Sequence, residues 1–257
     1  MHAHDQWIAF KTIIIKEVLR FARIWIQTIL PPAITTTLYF VIFGRLIGGQ
    51  VGAMDGFTYP QYIAPGLIML AIITNSYANV VSSFYGSKFQ HYIDEMLVAP
   101  IPNWLILAGF VGGGVARGLA VGAVVTAIAL FFTDLHVSHW GVTIGVVFLT
   151  AVVFSLAGLV NGIYAKSFDD ISIVPTFVLT PLTYLGGIFY SINMLGDFWR
   201  GVSLANPILY MVNAFRYGIL GVSDIAMTPA FAIIVIAVVA LGGYALWLLE
   251  RGTGIRN

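Results

Sequence analysis

Cysteine is absent from all 257 residues, so disulfides, thiolate metal ligands and thiol nucleophiles are excluded. Charge is nearly as scarce. Asp, Glu, Lys and Arg together make up 9% of the chain, where a soluble domain carries about 25%. The net charge of +1 offers no basic or acidic footprint, so nucleic acid is not an expected partner. No Gly-x-x-x-x-Gly-Lys-Ser/Thr phosphate cradle occurs. Gly86-Ser87-Lys88 has neither the spacing nor the strand-to-helix setting, so this chain does not hydrolyse ATP by itself. No intramembrane aspartate pair and no serine-lysine or histidine-acid arrangement points to a membrane hydrolase. His136 and His139 beside Asp134 are too few ligands for a metal site, so none is expected.

What is abundant is apolar surface. At 59% hydrophobic residues and a mean hydropathy of +0.93, the sequence reads as an all-α, multi-pass membrane protein. Two segments are expected, an N-terminal cytoplasmic helix over 1–24 and a six-helix transmembrane domain over 25–257. Lys11, Lys16, Glu17, Arg20 and Arg23 interrupt the N-terminus before any apolar run, so no cleavable signal peptide is expected. Trp7, Phe10, Ile14, Val18 and Phe21 recur on one helical face, with Lys16, Arg20 and Arg23 on another. That pattern fits a helix lying in the cytoplasmic interface, the alternative being a polar lead-in to the first span.

Six spans are expected at about Trp25–Ile47, Tyr62–Tyr85, Leu105–Phe132, Trp140–Ala165, Ile173–Ser191 and Pro229–Leu249. With both termini inside, Lys11, Lys16, Arg20, Arg23, Lys88, Lys166, Arg251 and Arg256 are cytoplasmic, against Arg45, Arg200 and Arg216 outside. Pro31 and Pro32 predict a kink in the first span, eased by the hydroxyls of Thr35 to Thr37. Asn75, Asn79 and Ser83 form a polar stripe on the second span, and Thr176, Thr180 and Thr183 another on the fifth. Each stripe is either interhelical glue or the wall of a substrate path. Gly114, Gly118, Gly122 and Thr126, with Gly109 and Gly113 offset, form a seam for close helix packing whose partner the sequence leaves open. Arg117 sits in this seam, either snorkelling to the interface or facing substrate. Because it is the sole charged side chain in the middle of an expected span, Arg45 lying at the outer end of the first, an ion-coupled carrier is disfavoured, and no filter-like repeat suggests a channel.

The stretch from Phe177 to Arg216 is the most distinctive. Pro181 and Gly186-Gly187 should bend or stop the fifth span early, and Asn206-Pro207 starts a segment, Pro207 to Leu220, too short to cross a bilayer. The spacing of Leu179, Leu182, Leu185, Gly186, Ile188, Leu195 and Gly196, followed by Pro207, Ile208, Tyr210 and Arg216, resembles the signature of ABC-2 type transporter permeases. The likeness extends to Phe21-Ala-Arg-Ile-Trp25, Gly112 to Gly118 and Phe168 to Ser172, and is nearest to the small YadH-type bacterial members.

The resemblance implies a six-helix exporter fold of the type V kind, with a connecting helix at the N-terminus and a re-entrant segment before the last span. It implies a homodimer in the bacterial inner membrane, joined to two copies of a separate ATPase that binds ATP and magnesium. It places an ATPase-coupling helix at Tyr92, Ile93, Asp94, Glu95, Met96 and Leu97, cut off by Pro100 and Pro102, and a substrate path along the two polar stripes. Pro207, Tyr210 and Arg216 fall in an outer gate. Lys166 to Ser172 is either a second ATPase contact or a solvated loop. The cargo class would be hydrophobic, lipid-like or glycan; a membrane scaffold without transport is the competing reading.

Overall fold

The computed structural model describes residues 3–252 and 254; Arg256 and the outermost residues of both expected segments lie outside the described residues, as does the side chain of Arg45. Helix α1 (Ala3–Arg23) leads into α2 (Trp25–Tyr39), which continues through Pro31 and Pro32. The winding changes later than expected, widening to a π-helix over Phe40–Ile47 before a single turn, α3 (Gly48–Val51). A two-residue ribbon follows, β1 (Ala53–Met54) antiparallel to β2 (Phe57–Thr58), with Ala53 opposite Thr58. Asp55 and Gly56 turn it with φ of 48° and 84°, the left-handed pair that an Asp-Gly turn favours.

Thr58 then caps α4 (Tyr59–Phe89), whose first turn holds Pro60, and the Gln61 side chain accepts the Thr58 N–H at 3.0 Å. After α4 come α5 (Tyr92–Val98), α6 (Asn103–Phe132) and α7 (Trp140–Tyr164). Next are α8 (Asp170–Val174), a π-wound stretch Pro175–Leu179 and α9 (Thr180–Tyr184). The chain closes with α10 (Asp197–Leu204), α11 (Pro207–Leu220) and α12 (Met227–Arg251).

Among the described residues, five stretches are long and apolar enough to cross a membrane: Trp25–Gly44, α4, α6, α7 and α12. The segment expected as a further span between Ile173 and Ser191 is helical only as far as Tyr184. Its three five-residue pieces, α8, the π turns and α9, rise about 20 Å together, short of a hydrocarbon core of about 30 Å. Pro175 and Pro181 remove backbone donors within it, and Gly187 ends the run with φ of 69°.

Helix α4 is the axis of the bundle, packed by α6, α7 and α11. Glycine lets the first two approach closely. A Cβ on Gly118 of α6 would strike the Ser76 hydroxyl, and one on Gly158 of α7 would lie 2.6 Å from the Tyr77 carbonyl oxygen. Gly114 and Gly122 also face α4, whereas Gly109 and Gly113 receive Ile13 and Glu17 of α1. The seam therefore joins helices of one chain, on two sides of α6.

Helix α1 has three faces. Ile13 and Glu17 point into the bundle, Ile8, Ile15 and Leu19 are exposed apolar groups, and Lys11, Lys16 and Arg23 are exposed cations. The expected single stripe is thereby divided: Trp7 is exposed, while Phe10, Ile14, Val18 and Phe21 are half-buried.

Candidate functional site

Helices α2, α4 and the α8–α9 run enclose a cleft of about 470 Å³. Asn75, Thr180 and Thr183, three of the six expected path residues, line it. The α2 wall contributes Gln27, Thr35 and Thr36, and α4 adds Thr74. Sequence reasoning missed that wall, although Gln27, Pro31 and Thr35 repeat at four-residue steps. Phe189 closes the end nearest the ribbon. Its ring lies 5.4 Å from that of Tyr39 and 5.0 Å from that of Phe43, and the Tyr59 hydroxyl donates to its carbonyl at 3.0 Å.

The other three expected path residues lie elsewhere. Thr176 is exposed and outside the cleft lining. Asn79 and Ser83 turn to α1, which runs antiparallel to α4: Lys16 meets Ser87, Glu17 meets Ser83 and Arg20 meets Asn79. Ser83 donates to Glu17 Oε1 at 2.7 Å, and Arg20 Nη2 donates both to the Asn79 carbonyl at 2.8 Å and to its Oδ1 at 2.7 Å. Glu17 is fully buried, with Oε2 3.4 Å from Arg20 Nε. Arg117 approaches the same cluster from α6, its charge opposed by that of Arg20. The signal for Glu17 was present in the sequence: it interrupts the Phe10, Ile14, Phe21 stripe at helical spacing.

At the ribbon end, α11 is held by a second buried network. Asn206 caps it, accepting from the Ile208 N–H at 3.0 Å and donating to the Leu182 carbonyl at 2.6 Å. Of the three expected gate residues, Pro207 is exposed in the first turn, and the Tyr210 hydroxyl donates to the Leu204 carbonyl at 2.8 Å, bracing α10 against α11. Arg216 is completely buried. Its Nη2 donates to the Gly187 carbonyl at 2.6 Å, its Nε to the Tyr62 carbonyl at 3.4 Å and its Nη1 to Asn213 Oδ1 at 3.4 Å. The guanidinium also lies 4.0 Å from the centre of the Tyr62 ring. Asn213 Oδ1 in turn accepts the Asp224 N–H, and the Asp224 carboxylate accepts from the Ser191 hydroxyl at 2.8 Å and the Ile192 N–H at 3.0 Å. Arg216 thus ties α11 to α4 and to the turn after α9.

At the opposite end, only Gln90 and His91 separate α4 from α5, and His91 adopts φ of 60°. Of the six expected coupling residues, Ile93 is fully buried and Met96 and Leu97 pack partly against the core, so the apolar side of α5 faces its own chain. Asp94 lies 2.9 Å from the His91 ring. What α5 presents outward is Tyr92, Glu95 and, one residue beyond the expected set, Val98, which is 86% exposed. The loop after α7 lies alongside: Phe168 packs edge-on to Phe89 at 5.2 Å, and Lys88 Nζ donates to the carbonyls of Ile163 and Ala165 at 2.8 Å. The N–H groups of Lys166 and Ser167 both point at Asp170 and hold its carboxyl below the usual carboxylate range.

Residues 8–220, from α1 through the end of α11, match the ABC-2 type transporter family. The chain belongs to that family. This ABC-2 chain is 58% identical over 254 residues to a protein of Escherichia coli strain K12 named inner membrane transport permease YadH, covering 99% of each chain. It is 22% identical over 210 residues to nodulation protein J of Rhizobium leguminosarum bv. viciae, covering 80% of each. To nodulation protein J of Rhizobium meliloti strain 1021 it is 21% identical over 210 residues, covering 80% of this chain and 79% of the relative. As an ABC-2 family member it is a multi-pass transport permease, and membership implies an ABC ATPase as partner. The matched region contains the cleft, the α1 network, α5 and Arg216 with its three acceptors; Asp224 and α12 lie beyond it.

Proposed function

We propose that this ABC-2 chain is the transmembrane subunit of an exporter, working in the bacterial inner membrane as two copies with two copies of a separate ABC ATPase. ATP and magnesium bind the ATPase. The observation that carries the reading is the mainly apolar cleft between α2, α4 and α8–α9, studded with threonine and amide side chains, whose central wall, α4, is joined to α5 by two residues. The end bearing α5 is cytoplasmic, with the N- and C-termini on that side. The α8–α9 run completes a sixth, broken span, and α10 with α11 re-enters from the outer side. Closure of the ATPases on Tyr92, Glu95 and Val98 tilts α4, and α1 follows because Arg20 holds the Asn79 carbonyl. The cleft then changes shape, and a hydrophobic, lipid-like or glycan cargo leaves past α11.

Coupling is tested by co-purification with a co-expressed ABC ATPase from the same organism. Glu95→Arg with Val98→Asp should abolish association in detergent while leaving the yield and monodispersity of the permease unchanged. Undiminished association overturns the assignment of α5. Met96→Asp is a poorer test than either, since Met96 packs against the core and its loss disturbs the fold itself. The use of Asn79 and Ser83 in packing favours a second reading, a scaffold that moves no cargo. A scaffold tolerates Asn75→Leu and Thr180→Leu, whereas an exporter loses transport-linked ATP turnover with either.

A further inference from the structure

A third group of polar side chains sits at the α5 end of α12, outside the cleft and, but for Tyr164, beyond the matched region. Tyr164 ends α7 between the two residues whose carbonyls accept from Lys88, and its hydroxyl lies 2.5 Å from that of Tyr244 on α12. The pair holds two protons and its mutual bond uses one, so one O–H is left to donate to an outside acceptor. Tyr244 stacks on Trp247 with ring centres 5.8 Å apart, and the Arg251 guanidinium lies 4.5 Å from the centre of the Trp247 ring. Steps of three and four residues put Tyr244, Trp247 and Arg251 in one row along the helix. Glu250 stands beside Arg251 in the same turn, and both are exposed. Among the described residues neither has an ion-pair partner. Farther from α5, Gly243 has open space where a Cβ would stand, and Val239 and Ile236 are exposed apolar groups.

We propose that this row is a binding site for a single phospholipid with a zwitterionic phosphoethanolamine headgroup, held from headgroup to acyl chain. The order of groups along α12 matches the order of groups along such a lipid. Arg251 takes the phosphate and Glu250 the ammonium, and these adjacent opposite charges match a zwitterion while giving no net attraction to an anion. Trp247 covers the glycerol, at the depth an indole occupies in a bilayer interface. The unspent tyrosine O–H, about one turn deeper, donates to an ester carbonyl. One acyl chain then lies over Gly243 against Val239 and Ile236. Aromatic anchoring alone needs neither an unspent hydroxyl proton nor an unpaired acid beside the cation. A free phosphate compound would meet the two charges and leave the rest of the row bare. The site is independent of what moves through the cleft.

The test is native mass spectrometry of the full-length chain, delipidated in detergent and titrated with dioleoylphosphatidylethanolamine, dioleoylphosphatidylglycerol, dioleoylglycerol or O-phosphoethanolamine. The first phosphatidylethanolamine should bind about tenfold more tightly than dioleoylglycerol, which lacks the headgroup, or O-phosphoethanolamine, which lacks the chains, and about threefold more tightly than phosphatidylglycerol. Arg251→Gln should weaken it about tenfold, the loss of a charge-assisted bond, and Tyr164→Phe with Tyr244→Phe about threefold, the loss of a neutral one. Glu250→Gln should abolish the preference over phosphatidylglycerol. All four positions are exposed, so the size-exclusion profile should not change. Lipid affinity indifferent to Arg251→Gln overturns the site, the lipid then adhering as a general annulus. Phosphatidylglycerol bound as tightly as phosphatidylethanolamine overturns the headgroup assignment and with it the proposal. O-phosphoethanolamine bound as tightly as the lipid gives the row to a water-soluble phosphate compound, and loss of a two-copy species with Arg251→Gln at unchanged lipid affinity gives it to a second copy; either overturns the proposal.

Discussion

Arg216→Ala should destabilise the folded chain by about 3–5 kcal/mol, measured as the shift in a denaturant titration of the detergent-solubilised protein. The side chain is fully buried and donates to two backbone carbonyls, those of Gly187 and Tyr62, and to Asn213 Oδ1. Truncation leaves the Gly187 carbonyl without a partner at about 1–3 kcal/mol, takes a second donor from the Tyr62 carbonyl, which lies inside α4, and removes the cation facing the Tyr62 ring as well. Arg216→Lys should recover little, because an ammonium cannot fork to acceptors that lie on different elements. A loss below about 1 kcal/mol for Arg216→Ala, on the scale of an exposed group, would contradict the clamp.

A comparable loss, about 3–5 kcal/mol, is expected for Glu17→Ala, because it takes from Arg20 the buried carboxylate it pairs with where α1 packs against α4. Ser83 also loses its acceptor. The sharper expectation concerns the double variant Glu17→Ala/Arg20→Met, which removes the acid and its cation together. It should be more stable than Glu17→Ala alone, since breaking a buried pair costs more than replacing it. Unfolding of wild type, both singles and the double variant closes a thermodynamic cycle. If the double variant is less stable than Glu17→Ala, Arg20 contributes through its bonds to Asn79 rather than through charge, and the paired reading fails.

Long apolar runs announced the five spanning helices because length and hydropathy alone decide whether a helix can cross a bilayer. The start of α11 was equally plain at Asn206-Pro207; the structure adds Gly221 in the left-handed conformation at its end. The polar stripe on α4 was visible as a stripe, but not the fact that it faces two things. Each four-residue step advances about 40° around a helix, so Ser83 lies about 80° from Asn75. On a helix buried on several sides, that rotation carries the stripe from the cleft to α1. Thr176, Thr180 and Thr183 failed to stay together for a different reason. The Pro175–Leu179 stretch is π-wound, and its wider turn breaks the phase on which the α-helical spacing relied. Nothing in the residue types marks such a turn reliably beyond the prolines flanking it. Helix α5 was legible as an amphipathic segment, but which face looked outward depended on Ile93 finding a place in the core, a tertiary fact.

The short joint at Gln90 and His91 bears on how far a small movement carries. A non-glycine residue in the left-handed region is held there at some expense, about 1–2 kcal/mol, and a joint of that length has no slack in which a displacement could be absorbed. Helix α4 is 31 residues long, a rod of about 46 Å. Pivoted at the joint, a tilt of only about 5° sweeps its far end through about 4 Å, comparable to the width of a hydrocarbon chain. The bundle therefore has leverage: the wall of the cleft farthest from α5 travels the greatest distance.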